Sequence, residues 1–255
     1  MQLQTANVRT IAKTIMKDKK NTAKYGAAVI GVIALATTSA NATVIASDDF
    51  NTYTDGNIVG QAGAGTGWST DYTGADGLNV TSGQIDGSGA PEQVYRGLSQ
   101  TIDVANGNEV WMTFDGQITL SGSFGYAGVS FFDGGSEKGI IGAISGRDMF
   151  GIGGADTGVT GTNSIAVKFD LTDNSVSLWT GTAGSAVDVS GAPTQTGSMN
   201  IKGTDNLRFA IHTGDMQIDN FIMGTTMEDV NVVPEPSSAA LLGLSGLALI
   251  LRRKK

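Results

Sequence analysis

Cysteine is absent from the 255 residues, histidine occurs once, and proline occurs four times. Without thiols there is no disulfide framework, zinc-thiolate site, iron–sulfur cluster or cysteine nucleophile. The single histidine, His212, excludes multi-histidine metal sites and leaves little for imidazole acid–base chemistry. No serine or cysteine nucleophile signature accompanies it. It reads as an exposed or hydrogen-bonded structural histidine on the polar side of a strand, beside Arg208. Helical periodicity over 10–18 residues is missing from residues 43–225. Neither apolar run of the chain reaches the roughly 20 residues that span a bilayer comfortably.

Charge is distributed unevenly. Residues 1–42 carry six basic side chains and one acid, and residues 234–255 carry four basic side chains and one acid. The intervening 43–233 hold six basic against 22 acidic groups, a balance of -16. Such a surface repels phosphate backbones and disfavours nucleic-acid binding by this part.

Both ends read as addresses. Basic residues continue to Lys24, an apolar run follows from Gly26 to Ala36, and small residues end in Ala40-Asn41-Ala42. This is the order of a secretory signal with an A-x-A cleavage pattern at Ala40 and Ala42, which would leave Thr43 as the mature N terminus. The basic region is long, and Met16 is an alternative start. At the other end, Pro234-Glu235-Pro236 precedes an apolar stretch from about Ser237 to Leu251 and the basic stop Arg252-Arg253-Lys254-Lys255. Fifteen helical residues cover only about 22 Å. The basic side chains would then snorkel or the bilayer would thin, with the cluster on the cytoplasmic side.

This tail resembles the PEP-CTERM sorting signal, because its three features occur in order at the chain end. The resemblance implies a Gram-negative source, export through the Sec translocon, a membrane-anchored precursor in the inner membrane, and processing by an exosortase near Pro234, Glu235 and Pro236. Such systems are linked to extracellular polysaccharide.

The middle alternates with period two. Val110, Met112 and Phe114 interleave with Trp111, Thr113 and Asp115; Ile165, Val167, Phe169 and Leu171 with Ser164, Ala166, Lys168 and Asp170; Leu207, Phe209 and Ile211 with Arg208, Ala210 and His212. Strands with one buried face produce this pattern. Gly-, Asn- and Asp-rich turns separate them, including a hairpin around Thr172-Asp-Asn-Ser175. Many short strands without helices predict an all-β sandwich or barrel. Glycine is heavy, but Gly63-Ala-Gly65-Thr-Gly67-Trp68 and Gly151-Ile-Gly153-Gly154 lack the following helix and Lys-Ser/Thr of a phosphate loop.

Asp48-Asp49-Phe50-Asn51 with Tyr53, Gly56 and Gly67-Trp68 resembles the opening of LamG-like, concanavalin A-like domains. Arg96-Gly97-Leu98, Val110–Phe114, Gly128–Gly135 and Gln217–Thr226 follow in the same order. The resemblance implies a jelly-roll sandwich whose first and last strands lie close together, in a family whose members bind glycans, hydrolyse them or fill surface proteins. The expected organisation is a signal peptide at 1–42, a LamG-like domain at 43–226, a linker with the Pro-Glu-Pro motif at 227–236, and a transmembrane helix with basic tail at 237–255.

Catalysis finds little support. Glycan hydrolysis needs two carboxylates flanking the scissile bond. Glu109 and Asp115 share a strand face but lie about 20 Å apart along it, and only aspartates from separate loops remain to converge. Calcium suits the abundant hard oxygens, and Asp49 and Asp219 fall on strands that the resemblance brings together. With six to eight oxygens needed, carbonyls and water would complete the shell; turn-forming, solvated aspartates are the other reading. No cofactor is otherwise required. Trp68, Tyr72, Tyr95, Trp111, Tyr126 and Trp179 are the candidate sugar-stacking side chains, with Trp68 and Trp179 foremost. Trp68 can equally plug its glycine-rich loop, and Trp111 and Trp179 can belong to a second buried layer. The expectation is an exported, non-catalytic surface or exopolysaccharide-matrix protein with weak glycan binding. Its rivals are a glycan-active enzyme and an ice- or surface-adhesion protein, for which a regular Thr-x-Thr array is missing.

Overall fold

A computed structural model describes residues 43–230 except 75–76, 89–90, 121–124, 146 and 156. The expected signal helix and transmembrane helix, and with them Ala40, Ala42, Pro234, Glu235, Pro236, Arg252 and Arg253, lie outside the described residues. Among the described residues no helix is long and apolar enough to cross a membrane.

The strands run β1 (Val44–Asp48), β2 (Gly56–Asn57), β3 (Asn79–Thr81), β4 (Gln84–Ser88), β5 (Glu92–Gly97), β6 (Glu109–Thr119) and β7 (Tyr126–Asp133). Then follow β8 (Ser136–Ile144), β9 (Gly151–Ile152), β10 (Asn163–Asp170), β11 (Ser175–Thr182), β12 (Gln195–Ser198), β13 (Asn206–Ile211) and β14 (Asp215–Gly224). They form two antiparallel sheets. The larger has nine strands in the order β12-β11-β10-β6-β14-β4-β3-β2, with β1 also on β14; the smaller has five in the order β5-β13-β7-β8-β9. This is an all-β sandwich consistent with a jelly roll.

The alternation seen in the sequence fills the space between the sheets. Val110, Met112, Phe114, Ile165, Val167, Phe169, Leu207, Phe209 and Ile211 all belong to one buried cluster. Phe131 and Phe169, from opposite sheets, meet edge-to-face with centroids 5.1 Å apart, a preferred aromatic geometry. Each such ring contributes about 1.5–3 kcal/mol by leaving water. The expected hairpin joins β10 to β11, and Asn174 adopts the left-handed conformation (φ 64°) that closes it.

One irregularity organises the large sheet. β14 pairs with β6 along its length, but the register shifts between Asp219 and Ile222. Asn220 occupies this bulge with φ 52°. Bulges bend a strand and increase its twist. On its other edge β14 pairs with β4 up to Ile218 and with β1 from Phe221 onward. The first and last strands are therefore hydrogen-bonded neighbours.

A second buried layer covers part of the outer face of the large sheet. Trp111, Ala166, Val187, Val189 and Val230 are buried there, with Trp179, Ile222 and Met227 packed against them. Met227–Val230, inside the segment read as a linker, forms a 3-10 turn, and Thr113 Oγ1 donates to the Val230 carbonyl (2.8 Å). Trp111 on β6 and Trp179 on β11 flank β10. They lean over the small Ala166 and stack, with centroids 5.8 Å apart and planes 20° apart.

Candidate functional site

The residues that carried the sequence resemblance converge on one buried ion pair. Asp48 at the end of β1 and Arg96 on β5 are almost fully buried and in direct contact. Asp48 Oδ1 accepts from the Phe50 amide (3.0 Å). Its Oδ2 accepts from the hydroxyls of Tyr53 (2.8 Å) and Tyr72 (3.3 Å). Arg96 donates further to the carbonyls of Ala64 (2.6 Å) and Thr70 (3.2 Å), and its guanidinium lies between the rings of Trp68 (4.7 Å) and Tyr72 (4.6 Å). Burial raises the Asp48 carboxyl above its ordinary value, against the lowering pull of the Phe50 amide, the Tyr53 hydroxyl and Arg96. The Tyr53 hydroxyl is pushed up to about 12, by burial first and by Asp48 next.

The glycine-rich run beside this network is a strap over β1. Ser47 and Thr66 exchange backbone hydrogen bonds (2.9 and 3.0 Å). Gly65 has φ 78°, and a Cβ there would lie 1.9 Å from the Ser47 carbonyl oxygen. The glycines thus allow close approach of two backbones. Trp68 closes the strap: its indole N–H donates to Ser47 O (2.9 Å), its ring lies 6.0 Å from Phe221, and it packs on the core. Trp179 similarly donates its N–H to Gly191 O (3.0 Å) and stacks on Trp111. Each indole has its N–H and one face engaged by the fold, and the two lie in different clusters.

Asp49 and Asp219 do come within electrostatic reach. Burial, then the charges of Asp115 and Asp49, raises the Asp219 carboxyl, while the Asn220 amide pulls it down. Yet Asp219 Oδ1 accepts from the Asn220 amide (2.7 Å) and Asp49 Oδ1 from the Asn51 amide (3.2 Å). Asp115, directly across the ladder from Asp219, is held by the Ser164 hydroxyl, the Gly184 amide (3.0 Å) and Asn220 Nδ2 (3.0 Å). Among the described residues no three acidic or imidazole side chains group to hold a metal ion.

The outer face of the five-stranded sheet carries a different arrangement. Three small residues, Ala210 on β13, Gly128 on β7 and Gly142 on β8, lie side by side in register. One row along, Arg208, Ser130 and Ile140 are in register. On the other side the His212 amide donates to Tyr126 O (2.8 Å), and Tyr126 pairs with Ile144. The longer side chains on either side of this row wall a half-open cavity of about 400 Å³ lined by Tyr126, Glu137, Ile140, Ile144, Arg208 and His212.

Arg208 is fixed in this wall. Its Nη2 donates to Ser130 Oγ (3.0 Å) and to both oxygens of Glu137 (3.1 and 3.2 Å). Its guanidinium sits 5.0 Å from the rings of both Tyr126 and Phe132. The His212 ring lies 5.7 Å from Tyr126. Arg208 Nε and His212 Nδ1 are buried and have no hydrogen-bond partner. A buried unpaired polar atom costs about 1–3 kcal/mol. Sequence reading placed Arg208 and His212 together on the polar face of a strand. The available further signal was that Ala210 separates them at period two, while Tyr126, Gly128 and Ser130 repeat the same polar–small–polar spacing.

Comparison with known families finds the PEP-CTERM protein-sorting motif at residues 232–255. The motif implies an exported protein processed by an exosortase. No curated protein matches the chain. Among solved structures, the botulinum neurotoxin serotype D binding domain is 11% identical over 74% of this chain and 49% of its own, with a TM-score of 0.46. The binding domain of botulinum neurotoxin DC in complex with rat synaptotagmin II is 14% identical over 74% of this chain and 50% of its own (TM-score 0.44). A sialidase is 11% identical over 74% of this chain and 19% of its own (TM-score 0.44). The chain thus spans about half the length of the toxin domains it matches.

Proposed function

We propose that this is a non-catalytic component of the cell surface or exopolysaccharide matrix, whose LamG-like, concanavalin A-like sandwich binds a neutral polysaccharide on the outer face of its five-stranded sheet. One observation carries the reading: the half-open cavity sets the polar side chains of Arg208, Glu137 and His212 beside the walls of Tyr126, Ile140 and Ile144. A sugar presents hydroxyls that both donate and accept, next to apolar C–H faces. The hydroxyls hydrogen-bond the polar side chains that line the cavity, and the C–H faces pack on the aromatic and aliphatic walls. The acidic balance of residues 43–233 opposes polyanionic polymers at long range and leaves neutral ones unaffected.

Binding of the exported protein to a panel of polysaccharides, including the host's own matrix polymer, tests this. Saturable binding that Arg208→Gln or Tyr126→Ala weakens about tenfold or more supports it, as loss of one or two directed contacts is worth roughly 1.4 kcal/mol or more. Binding that depends instead on Trp68 or Trp179, with Arg208→Gln silent, moves the site elsewhere.

A second reading has one observation in its favour. Asp115 and Asp219 stand directly opposite on β6 and β14 and line adjoining cavities of about 290 and 310 Å³. Directly paired positions place Cβ atoms about 4.5–5.5 Å apart, near the carboxylate spacing of about 5–5.5 Å in retaining glycosidases. The three donors holding Asp115 favour a structural role. Release of reducing ends from the bound polymer, abolished by Asp219→Asn, would establish hydrolysis instead.

A further inference from the structure

The sandwich begins where the sequence predicts cleavage, and its first amide already lies on a carboxylate. β1, the first strand of the sandwich, opens at Val44. The backbone nitrogen of Thr43 donates to Asp229 Oδ2 (3.0 Å) and lies 3.3 Å from Thr225 Oγ1. The Thr225 amide donates back to Thr43 O (3.0 Å). The same Asp229 oxygen accepts from the amides of Thr225 (3.2 Å) and Thr226 (3.0 Å) and from Thr226 Oγ1 (3.1 Å). Gly224 makes the approach feasible, since a Cβ there would lie 2.4 Å from Asp229 Cβ.

In the uncleaved chain the Thr43 nitrogen is a neutral peptide amide. Removal of the signal after Ala42 hydrolyses that peptide bond. Water supplies the hydroxyl to the Ala42 carboxylate and the proton to the Thr43 amine, which is an ammonium at neutral pH. We propose that Asp229 is the binding site for this new α-ammonium group, so that processing at one end of the chain fastens the turn leading into the sorting motif at the other. The inference rests on the cleavage position and is independent of polysaccharide binding. Among the described residues, Glu228 on the same turn is acidic, and Asp103 and Glu109 line a small cavity with Thr225, Glu109 being paired with Lys168 (2.6 Å). A charge-assisted hydrogen bond is stronger than the neutral one it replaces. The ammonium gains a carboxylate partner on folding, so its pKa rises above the ordinary 7.7–8.0 or so. The added stability is full below the ordinary value and is lost as pH rises through the raised one.

The test begins with the N terminus of the exported full chain, by intact mass and terminal sequencing. Asp229→Asn is then compared in that chain and in one with Ser-Gly inserted between Ala42 and Thr43, which keeps an amide at Thr43 after cleavage. The expected result is an N terminus at Thr43, and a Tm loss on Asp229→Asn that is about 1–4 °C larger in the chain without the insertion. The α-amine pKa, read by NMR titration, lies above its ordinary range and returns to it in Asp229→Asn. An N terminus at another residue, equal Tm losses in the two chains, or an α-amine at its ordinary pKa overturns the proposal. If Asp229→Asn does not fold, the α-amine pKa of the unaltered protein decides alone.

Discussion

Replacing Arg96 with methionine removes the guanidinium and keeps a long apolar stem between Trp68 and Tyr72. Asp48, 1% exposed, then loses the counter-charge it contacts, and the carbonyls of Ala64 and Thr70 each lose a donor. Breaking one side of a buried pair costs about 3–5 kcal/mol, a large share of a total stability of about 5–15 kcal/mol. For a unit of this size each kcal/mol moves Tm by roughly 2–4 °C. Arg96→Met is therefore expected to lower Tm by about 6–20 °C, read by calorimetry or circular dichroism. Without Arg96 the lowering influence on Asp48 disappears and its folded pKa rises further above the unfolded value. A carboxyl with a raised folded pKa stabilises the fold in acid and loses that contribution as pH climbs through the folded pKa. The deficit of Arg96→Met should thus be smaller near pH 4 than near pH 7. Adding Asp48→Asn removes the stranded charge while keeping an acceptor for the Phe50 amide, and should recover part of the loss, with a coupling of about 1 kcal/mol or more. A drop in Tm below about 3 °C, or a double variant whose loss equals the sum of the singles, would refute the view that this pair ties β1 to β5.

Gly65→Ala should cost more than about 2 kcal/mol, because it combines a left-handed conformation with a backbone collision; urea titration reads this as a lower midpoint. Asp219→Asn should raise stability at neutral pH by removing a carboxylate that burial, Asp115 and Asp49 disfavour, and the gain should vanish as pH falls and Asp219 becomes protonated, which melting curves across pH will show. Trp179→Ala should cost about 2 kcal/mol from the lost stack on Trp111 and leave polysaccharide affinity unchanged, as paired melting and binding measurements can check.

The strands were legible because apolar alternation is a local consequence of one buried face. Val110–Asp115, Ile165–Leu171 and Leu207–His212 each carry enough alternation to assign their inward side chains, and the hairpin at Asn174 is written in its turn residues. Trp111 and Trp179 could be seen to fall out of phase, but what covers them could not. The covering segments, around Val187 and Val230, have no periodic pattern and arrive by tertiary packing alone. The Asp48–Arg96 pair was hidden for a similar reason: its members lie 48 positions apart, and opposite charges so separated occur everywhere in a charged sequence. Their motifs could be recognised individually, whereas the shared network of Tyr53, Tyr72 and the Trp68 strap requires coordinates. In the pocket, the outward rows on β13 and β7 were readable separately. Bringing Arg208 beside Tyr126 and His212 needs the register between the strands, which no local signal specifies.

His212 is the chain's sole histidine, so its imidazole resonances report on the proposed pocket without ambiguity. Titrating the isotopically labelled exported protein with soluble fragments of the host's matrix polysaccharide, and following that ring by NMR, tests the binding site directly. The account predicts a saturable shift of the His212 ring that Arg208→Gln abolishes and Trp179→Ala leaves intact. A polysaccharide that binds while the His212 ring stays unmoved, or a full panel of polymers without any binding, would contradict it.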